Sequence, residues 1–300
     1  GAGSKNNIGQ ANSFFGVDAG LSNTTGSYNI GLGLATFGST TAASTGDYNF
    51  AAGENALFNN TTGHDNIAFG RETLKANTTG YTNVAIAWNA LTANTVGIWN
   101  IGIGSGALEA NTTGSYNTAI GVQALKLNQS GSDSTAIGGS ALYRSTGGVN
   151  SAFGDTAGYS ITSGLYNTAI GRNTFGSTTG FSTGDNNFAG GQDALFNNTG
   201  GSANIGIGSQ ALEKNTIGNG NVGIGYQALN SNTTAYGNVG IGETALFSNS
   251  TGNENVAIGS AALYNNTIAI QNVAVGQRAL FSNTTGNYNI GLGYQSFGTT

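Results

Sequence analysis

The chain has 300 residues, of which 52 are glycine, and it contains no proline, cysteine or methionine, which excludes disulfide and thiol chemistry. Only 7% of the residues are charged, against roughly 25% in ordinary globular chains. The net charge of -5 is spread thinly with no basic stripe, and no apolar run approaches the ~20 residues of a membrane helix, so we expect neither nucleic-acid binding nor membrane insertion.

A pattern of about 17 residues repeats along the chain, and its positions are numbered here from its leading Asn. Position three is Ala or Gly, position four is mostly Ile, position five is Gly, and positions eight and nine are Ala-Leu, as in 255–271. The units begin at residues 12, 29, 49, 66, 83, 100, 117, 134, 150, 167, 187, 204, 221, 238, 255, 272 and 289, with Ser134 replacing the Asn once. A fixed period near twenty residues indicates a solenoid. We therefore interpret 1–300 as a single repeat array.

The irregular units are themselves repeated. Residues 1–11 are the tail of an incomplete unit, and the next unit has Gly20 where Leu is usual. The unit at residue 29 has Phe37 in place of Leu and three extra residues. The same pair recurs with Gly158 and Phe175, so the array has a superperiod of 138 residues.

The period within a unit is that of a strand. In 221–225 the bulky residues alternate with small ones and therefore share one face, and frequent Gly is incompatible with a helix. Ala-Leu begins a second short extended segment, and Asn-Thr-Thr-Gly, as in 111–114, supplies a turn. The sequence predicts an all-β, parallel β-solenoid or β-roll of about seventeen 17-residue coils, stacked ~4.8 Å apart as an elongated rod.

Two columns of side chains are expected to form the core. Position four supplies Ile86, Ile103, Ile120, Ile137, Ile170, Ile207, Ile224, Ile241 and Ile258, with Phe69, Phe153 and Leu292. Position nine supplies Leu57, Leu74, Leu91, Leu108, Leu125, Leu142, Leu195, Leu212, Leu229, Leu246, Leu263 and Leu280 on the opposite side. The small residue at position three then has two interpretations. It forms a seam against another chain, or a narrow coil needs small residues for its own turns.

Several strings resemble a known class of repeat. Asn-Val-Ala-Ile-Gly at 255–259, Asn-Thr-Ala-Ile-Gly at 117–121 and Tyr-Gln-Ala-Leu at 226–229 are similar to the head and shaft repeats of trimeric autotransporter adhesins and of phage or bacterial tail-fibre-like proteins. The resemblance covers nearly the whole chain. It implies a left-handed parallel β-roll, often trimeric, on a virion or cell surface.

The sequence suggests no catalytic, cofactor-binding or metal site. His64 is the only histidine and adjoins Asp65 in a turn, where solvation is expected. The acidic residues are scattered without a recurring paired spacing. Gly-x-Gly strings such as 31–33 and 206–208 lack the strand-to-helix setting of a phosphate loop. We therefore predict that the chain is not an enzyme and needs no cofactor.

Asparagines and aromatics are the remaining candidates. The leading Asn residues are expected to stack into a structural column of amides. The turns also contain possible glycosylation sequons, at Asn23, Asn60, Asn77, Asn111, Asn128, Asn232, Asn249 and Asn283. An aromatic precedes the leading Asn in several units and is expected either to contact carbohydrate or to pack over the coil edge: Tyr28, Tyr48, Trp99, Tyr116, Tyr166 and Tyr288.

These features predict a structural fibre or filament segment of an extracellular, cell-surface or virion appendage. It would self-associate through stacked coils as a homo-oligomer, either a trimer or an end-to-end filament, with both ends covered by further sequence or by the next subunit. One alternative is an adhesin or tail-fibre shaft that binds a surface glycan or receptor. Another is an ice-binding β-solenoid, which needs Thr at outward, alternate strand positions.

Overall fold

The structure is a computed structural model that describes residues 9–177 and 180–297, so that most of the incomplete unit at 1–11 lies outside the described residues. The chain divides into two compact units, Gly1–Val149 and Asn150–Thr300. Each unit is a parallel β-solenoid, which confirms the predicted fold class. Within the described ranges, no helix is long and apolar enough to cross a membrane.

The first unit contains one three-residue strand per coil. The strands are β1 (Ser13–Phe15), β2 (Ile30–Leu32), β3 (Phe50–Ala52), β4 (Ile67–Phe69), β5 (Val84–Ile86), β6 (Ile101–Ile103), β7 (Thr118–Ile120) and β8 (Thr135–Ile137). Each strand pairs in parallel with the next along the chain. The register follows the repeat, so that Ile103 lies beside Ile120.

The second unit is built in the same way. Its strands are β9 (Ser151–Phe153), β10 (Thr168–Ile170), β11 (Phe188–Gly190), β12 (Ile205–Ile207), β13 (Val222–Ile224), β14 (Val239–Ile241), β15 (Val256–Ile258), β16 (Val273–Val275) and β17 (Ile290–Leu292). Sequential strands again pair in parallel, with Ile224 beside Ile241. The predicted register is confirmed in both units.

The second extended segment that Ala-Leu was expected to begin is absent from the described coils. In the coil at 255–271, Gly259 has φ 130°, Ala261 φ 55° and Leu263 φ 49°, and these residues alternate with residues of negative φ. The alternation folds the chain back in a few residues instead of extending it. The backbone groups of this segment form hydrogen bonds between coils; for example, Leu263 N donates to Ala279 O of the next coil at 3.0 Å. A strand is therefore not needed to satisfy the backbone here.

The two faces of the strand are reversed with respect to the prediction. Ala257 at position three is fully buried, whereas Ile258 at position four is 39% exposed. The assignment of position four to the core was wrong, and positions two and four both face outward along each strand. The leucine column at position nine is buried, as predicted: Leu263 has no exposed surface.

The interior is too thin to hold a large side chain from the strand. A Cβ added to Gly223 would lie 3.3 Å from Leu212 Cγ of the preceding coil and 3.1 Å from Ala228 O. The leucine column fills this space, so only hydrogen or a methyl group fits opposite it. The residue at position three is therefore small because it packs inside its own solenoid against the leucine column. The alternative interpretation, an interchain seam at this position, was wrong.

The irregular coils preserve this arrangement by compensation. Phe14 is the one large residue at position three, and it occupies space that Gly20 leaves, since a Cβ at Gly20 would overlap the Phe14 ring. Phe37 replaces leucine in the next coil, is fully buried, and packs edge-on against Phe14 with ring centroids 6.0 Å apart. That coil has 20 residues. Nevertheless, Asn49 Nδ2 donates to Asn29 Oδ1 across it at 3.1 Å, the distance found between Asn66 and Asn49 across a 17-residue coil.

Candidate functional sites

The leading asparagines form a buried ladder, which confirms the column predicted from the sequence. Asn238 Oδ1 accepts from both the backbone N and Nδ2 of Asn255, at 2.9 and 3.2 Å. Asn238 Nδ2 donates to Asn221 Oδ1 at 3.2 Å and to Gly252 O at 2.8 Å. The amide therefore ties each coil to the preceding coil and to its own return turn. Its role is structural.

A second asparagine ladder runs at position twelve, and the sequence reasoning missed it. Asn232 Nδ2 donates to Asn215 Oδ1 at 2.7 Å and to Ala235 O at 3.2 Å. Ala235 O also accepts from Asn221 Nδ2 of the first ladder, at 2.8 Å. The carbonyl at position fifteen thus joins the two ladders within a coil. The recurrence of Asn at position twelve in the regular units is the sequence signal for this ladder.

Most of the sequon asparagines belong to this second ladder. Seven of them have at most 1% exposure: Asn23, Asn60, Asn77, Asn111, Asn128, Asn232 and Asn249. Their Nδ2 atoms donate inside the coil, as Asn77 does to Asn60 Oδ1 at 2.8 Å. Attachment of a sugar at these seven positions requires a coil that is open or not yet folded. Asn283 is half-buried, and its Nδ2 donates to Gly286 O at 2.9 Å.

The single histidine lies at the surface. His64 Nδ1 is 2.8 Å from Asp65 Oδ2, and both side chains are about half exposed. The imidazole stacks on Tyr81 with centroids 4.7 Å apart. In residues 9–177 and 180–297, no group of three or more His, Cys, Asp or Glu side chains is placed to hold a metal ion.

The aromatics that precede the leading Asn are half or more exposed: Tyr28, Tyr48, Trp99, Tyr116, Tyr166 and Tyr288. Tyr28 and Tyr48 lie in adjacent coils and stack face to face with centroids 4.9 Å apart. Their rings are accessible, as carbohydrate contact requires. That contact stays a prediction.

The threonines of the turns are largely engaged in the fold. Thr78 Oγ1 donates to Thr95 O of the next coil at 3.0 Å, and Thr216 Oγ1 donates to Thr233 O at 2.9 Å. They lie in a turn and not on a strand face. Among the described strands, three hold Thr at outward positions, at Thr118, Thr135 and Thr168. This arrangement does not favour the ice-binding alternative.

Positions two and four of the strands form a mostly apolar outward surface, called here the strand face. None of the strands that the structure describes has a charged residue at these positions. From β12 to β17 every residue at both positions is Val, Ile or Leu. Ile205 and Ile207 are 38% and 40% exposed. A solvated strand face ordinarily carries polar residues, so this surface is unusual for a free solenoid wall.

A small cavity opens on the turn side of the first unit, and the sequence reasoning missed it as well. It has a volume of about 120 Å³ and is lined by Trp88, Asn89, Gly106, Glu109 and Lys126, among others. Trp88 is 55% exposed. Glu109 and Lys126 form an ion pair of 3.3 Å at its edge. This cavity is called the Trp88 notch.

Comparison with known proteins adds no family to this description. A scan against protein-family models finds no match, and a search of curated proteins finds no relative of significant similarity. The strand face and the exposed side chains of the turns are therefore the surfaces that bear on function.

Proposed function

We propose that the chain is a structural segment of a fibre or filament in an extracellular, cell-surface or virion appendage, and that it self-associates through the strand face. The resemblance of the repeats to adhesin and tail-fibre shafts supports the setting. The observation that carries the self-association is the uncharged, aliphatic strand face of β12–β17.

The size of this face supports a partner. Six strands spaced about 4.8 Å apart, with side chains covering a width of about 10 Å, present roughly 300 Å² of continuous aliphatic surface. The largest apolar patch on a typical monomer is about 300–600 Å² and is often functional. A standard interface uses about 800 Å² per partner, so pairing through this strip alone is weak and depends on concentration.

The spacing of the face selects a second copy of the chain as the partner. Val222 and Ile224 lie directly beside Val239 and Ile241, so the same side chains recur once per coil. A partner interdigitates along the whole strip only if its own side chains have the same spacing, as in dry interfaces between identical sheets. Another solenoid of this sequence meets that condition.

The test is sedimentation velocity over a range of concentrations. The double variant Ile207→Lys/Ile258→Lys places ammonium groups on the strand face of two coils. The matched control is Ile217→Lys/Ile268→Lys, which makes the same change in the turns of the same coils, at side chains that are 55% and 56% exposed. We expect association of the wild type and of the control, and loss of association in the strand-face variant.

Circular dichroism must show that both variants remain folded. A wild type that stays monomeric up to millimolar concentration would contradict the proposal. Equal association of the two double variants would place the contact elsewhere. Electron microscopy of the native assembly then distinguishes a trimeric spike from an end-to-end filament.

A further inference from the structure

The Trp88 notch exists because one residue in a regular row lacks a side chain. Gly106 is at position seven, with φ 67°. In the sixteen other coils this position holds a residue with a side chain and a similar left-handed φ, between 50° and 63°. The backbone therefore accepts side chains here, and glycine is not required for the conformation. Its distinguishing effect is the space beside the Glu109 carboxylate, whose Oε2 lies 2.9 Å from where a Cβ would be.

The missing side chain also leaves Asn89 without a side-chain neighbour at position seven of the next coil. Two pairs in this row bond from coil to coil: Gln227 Nε2 donates to Gln210 Oε1 at 2.8 Å, and Asn173 Nδ2 donates to Asp193 Oδ1 at 2.8 Å. Asn89 lies one coil before Gly106 and lines the notch. Among the described residues, its Oδ1 is buried with no hydrogen-bond partner. An unpaired buried acceptor costs free energy, but this atom has almost no accessible surface and is not itself a contact for a ligand.

The walls of the notch combine one aromatic surface with polar groups. The lining includes the exposed indole of Trp88 and the Glu109–Lys126 ion pair. The two charges cancel, so the site does not select for a charged ligand. A cavity of ~150 Å³ holds a benzene ring, so 120 Å³ has room for about one six-membered ring that remains partly outside.

We propose that the Trp88 notch binds one pyranose ring of a neutral glycan. The apolar C–H face of the ring lies on the indole of Trp88, and its hydroxyls donate to Glu109 and accept from Lys126. One ring and few polar partners give millimolar affinity for a single site. Tighter binding requires several copies of the chain on one surface. This site is separate from the strand face, and its test does not depend on self-association.

The experiment uses the 300-residue chain with Trp99→Tyr, so that Trp88 is the only tryptophan. Tyrosine already occupies the equivalent position at Tyr116. Neutral methyl pyranosides, among them glucoside, galactoside, mannoside and N-acetylglucosaminide, are titrated while Trp88 fluorescence and saturation-transfer NMR are recorded. We expect saturable binding of at least one of them with a change in Trp88 emission.

The decisive variant is Gly106→Gln, which fills the notch with the residue that Gln123 places one coil later at φ 59°. Trp88→Ser tests the stacking, since Ser105 shows that the next coil accepts serine there. We expect either change to weaken binding at least tenfold with the melting temperature preserved. Tyr226→Ser, in the same row of the second unit, is expected to leave binding unchanged.

Two outcomes would overturn the inference. They are the absence of binding by every neutral pyranoside and binding that Gly106→Gln does not weaken. NMR follows the variants that lack Trp88, so each outcome remains readable.

Discussion

Replacement of Gly242 by alanine should be among the most damaging small changes that this fold permits. Gly242 is at position five and has φ 129°, a region that residues with a Cβ rarely occupy. An added Cβ would lie 2.6 Å from Gly259 C and 2.7 Å from Gly259 O in the next coil. Both atoms are backbone, so no flexible side chain can move aside.

The cost has two parts. Holding a residue with a Cβ in such a region costs about 1–3 kcal/mol. Crowding the next coil by a methyl group adds about 1–3 kcal/mol. Ala87 shows that partial relaxation is possible, because it occupies the same position in its coil with φ 89°, whereas the equivalent glycines have φ of 101–139°. We therefore expect about 2–4 kcal/mol of local destabilisation for Gly242→Ala.

Gly240→Ala is the matched control, since it adds the same methyl group two residues away. Gly240 is at position three, where its strand neighbour Ala257 already has a methyl group. A Cβ there would lie 3.2 Å from both the backbone Ala245 O and Leu229 Cγ, distances at which a few tenths of an ångström of adjustment suffice, so the cost should stay below about 1 kcal/mol. The reciprocal variant Ala87→Gly should relieve strain and stabilise its coil by about 1 kcal/mol.

Hydrogen exchange is the appropriate assay, because coils of a solenoid open locally and need not unfold as one unit. Gly242→Ala should accelerate exchange at the amides from Val239 to Gly259, which span its own coil and the start of the next, about 30- to 1000-fold if exchange reports the opening equilibrium. Gly240→Ala should change the same amides far less. Equal effects of the two variants would refute the argument from backbone conformation and close contact.

The remaining predictions concern the interior and the strand face. Leu229→Ala removes a fully buried side chain and should cost about 2–5 kcal/mol, measured by denaturant unfolding; a cost below that of Gly240→Ala would contradict a leucine-filled interior. Asn232→Leu removes the side-chain amide that donates to Asn215 Oδ1, and an unsatisfied buried group costs about 1–3 kcal/mol. Hydrogen exchange of the backbone amides on both sides of residue 232 should therefore become faster; unchanged exchange would show that the ladder does not stabilise the fold. Ile224→Asp should lower the free energy of unfolding by only about 1 kcal/mol, because this side chain lies on the outward strand face. Loss of the folded coil in this variant would show that position four belongs to the core after all.

The period, strand position, register and leucine column could all be predicted from the sequence. Alternation in 255–259 shows that Val256 and Ile258 share one face, but it does not show which face is inside. The large side chains were assigned to the interior because of their size, but size does not establish burial, since large apolar residues also occur at protein surfaces. The deciding quantity was the thickness of the coil, which depends on how close Leu263 comes to the strand. That distance is a property of the folded turns.

The Trp88 notch could not be predicted from the sequence for a different reason. Gly106 is one of 52 glycines, and most of the others are explained by the repeat. Its significance appears only when the φ values of its equivalents show that a side chain would be tolerated there. The unpaired Asn89 Oδ1 likewise becomes visible only against the paired side chains elsewhere in the row.

The 20-residue coil also shows how this protein can be used as a scaffold. Three additional residues leave the coil while the Asn29–Asn49 amide contact keeps its ordinary length. Closure of a longer loop is entropically inexpensive, at about 0.6 kcal/mol for each doubling of its length. A foreign peptide grafted between Thr40 and Ala42 should therefore be displayed outside an undisturbed solenoid. Equivalent turns in successive coils would then present copies of that peptide at multiples of about 4.8 Å, a molecular ruler for receptors that respond to ligand spacing.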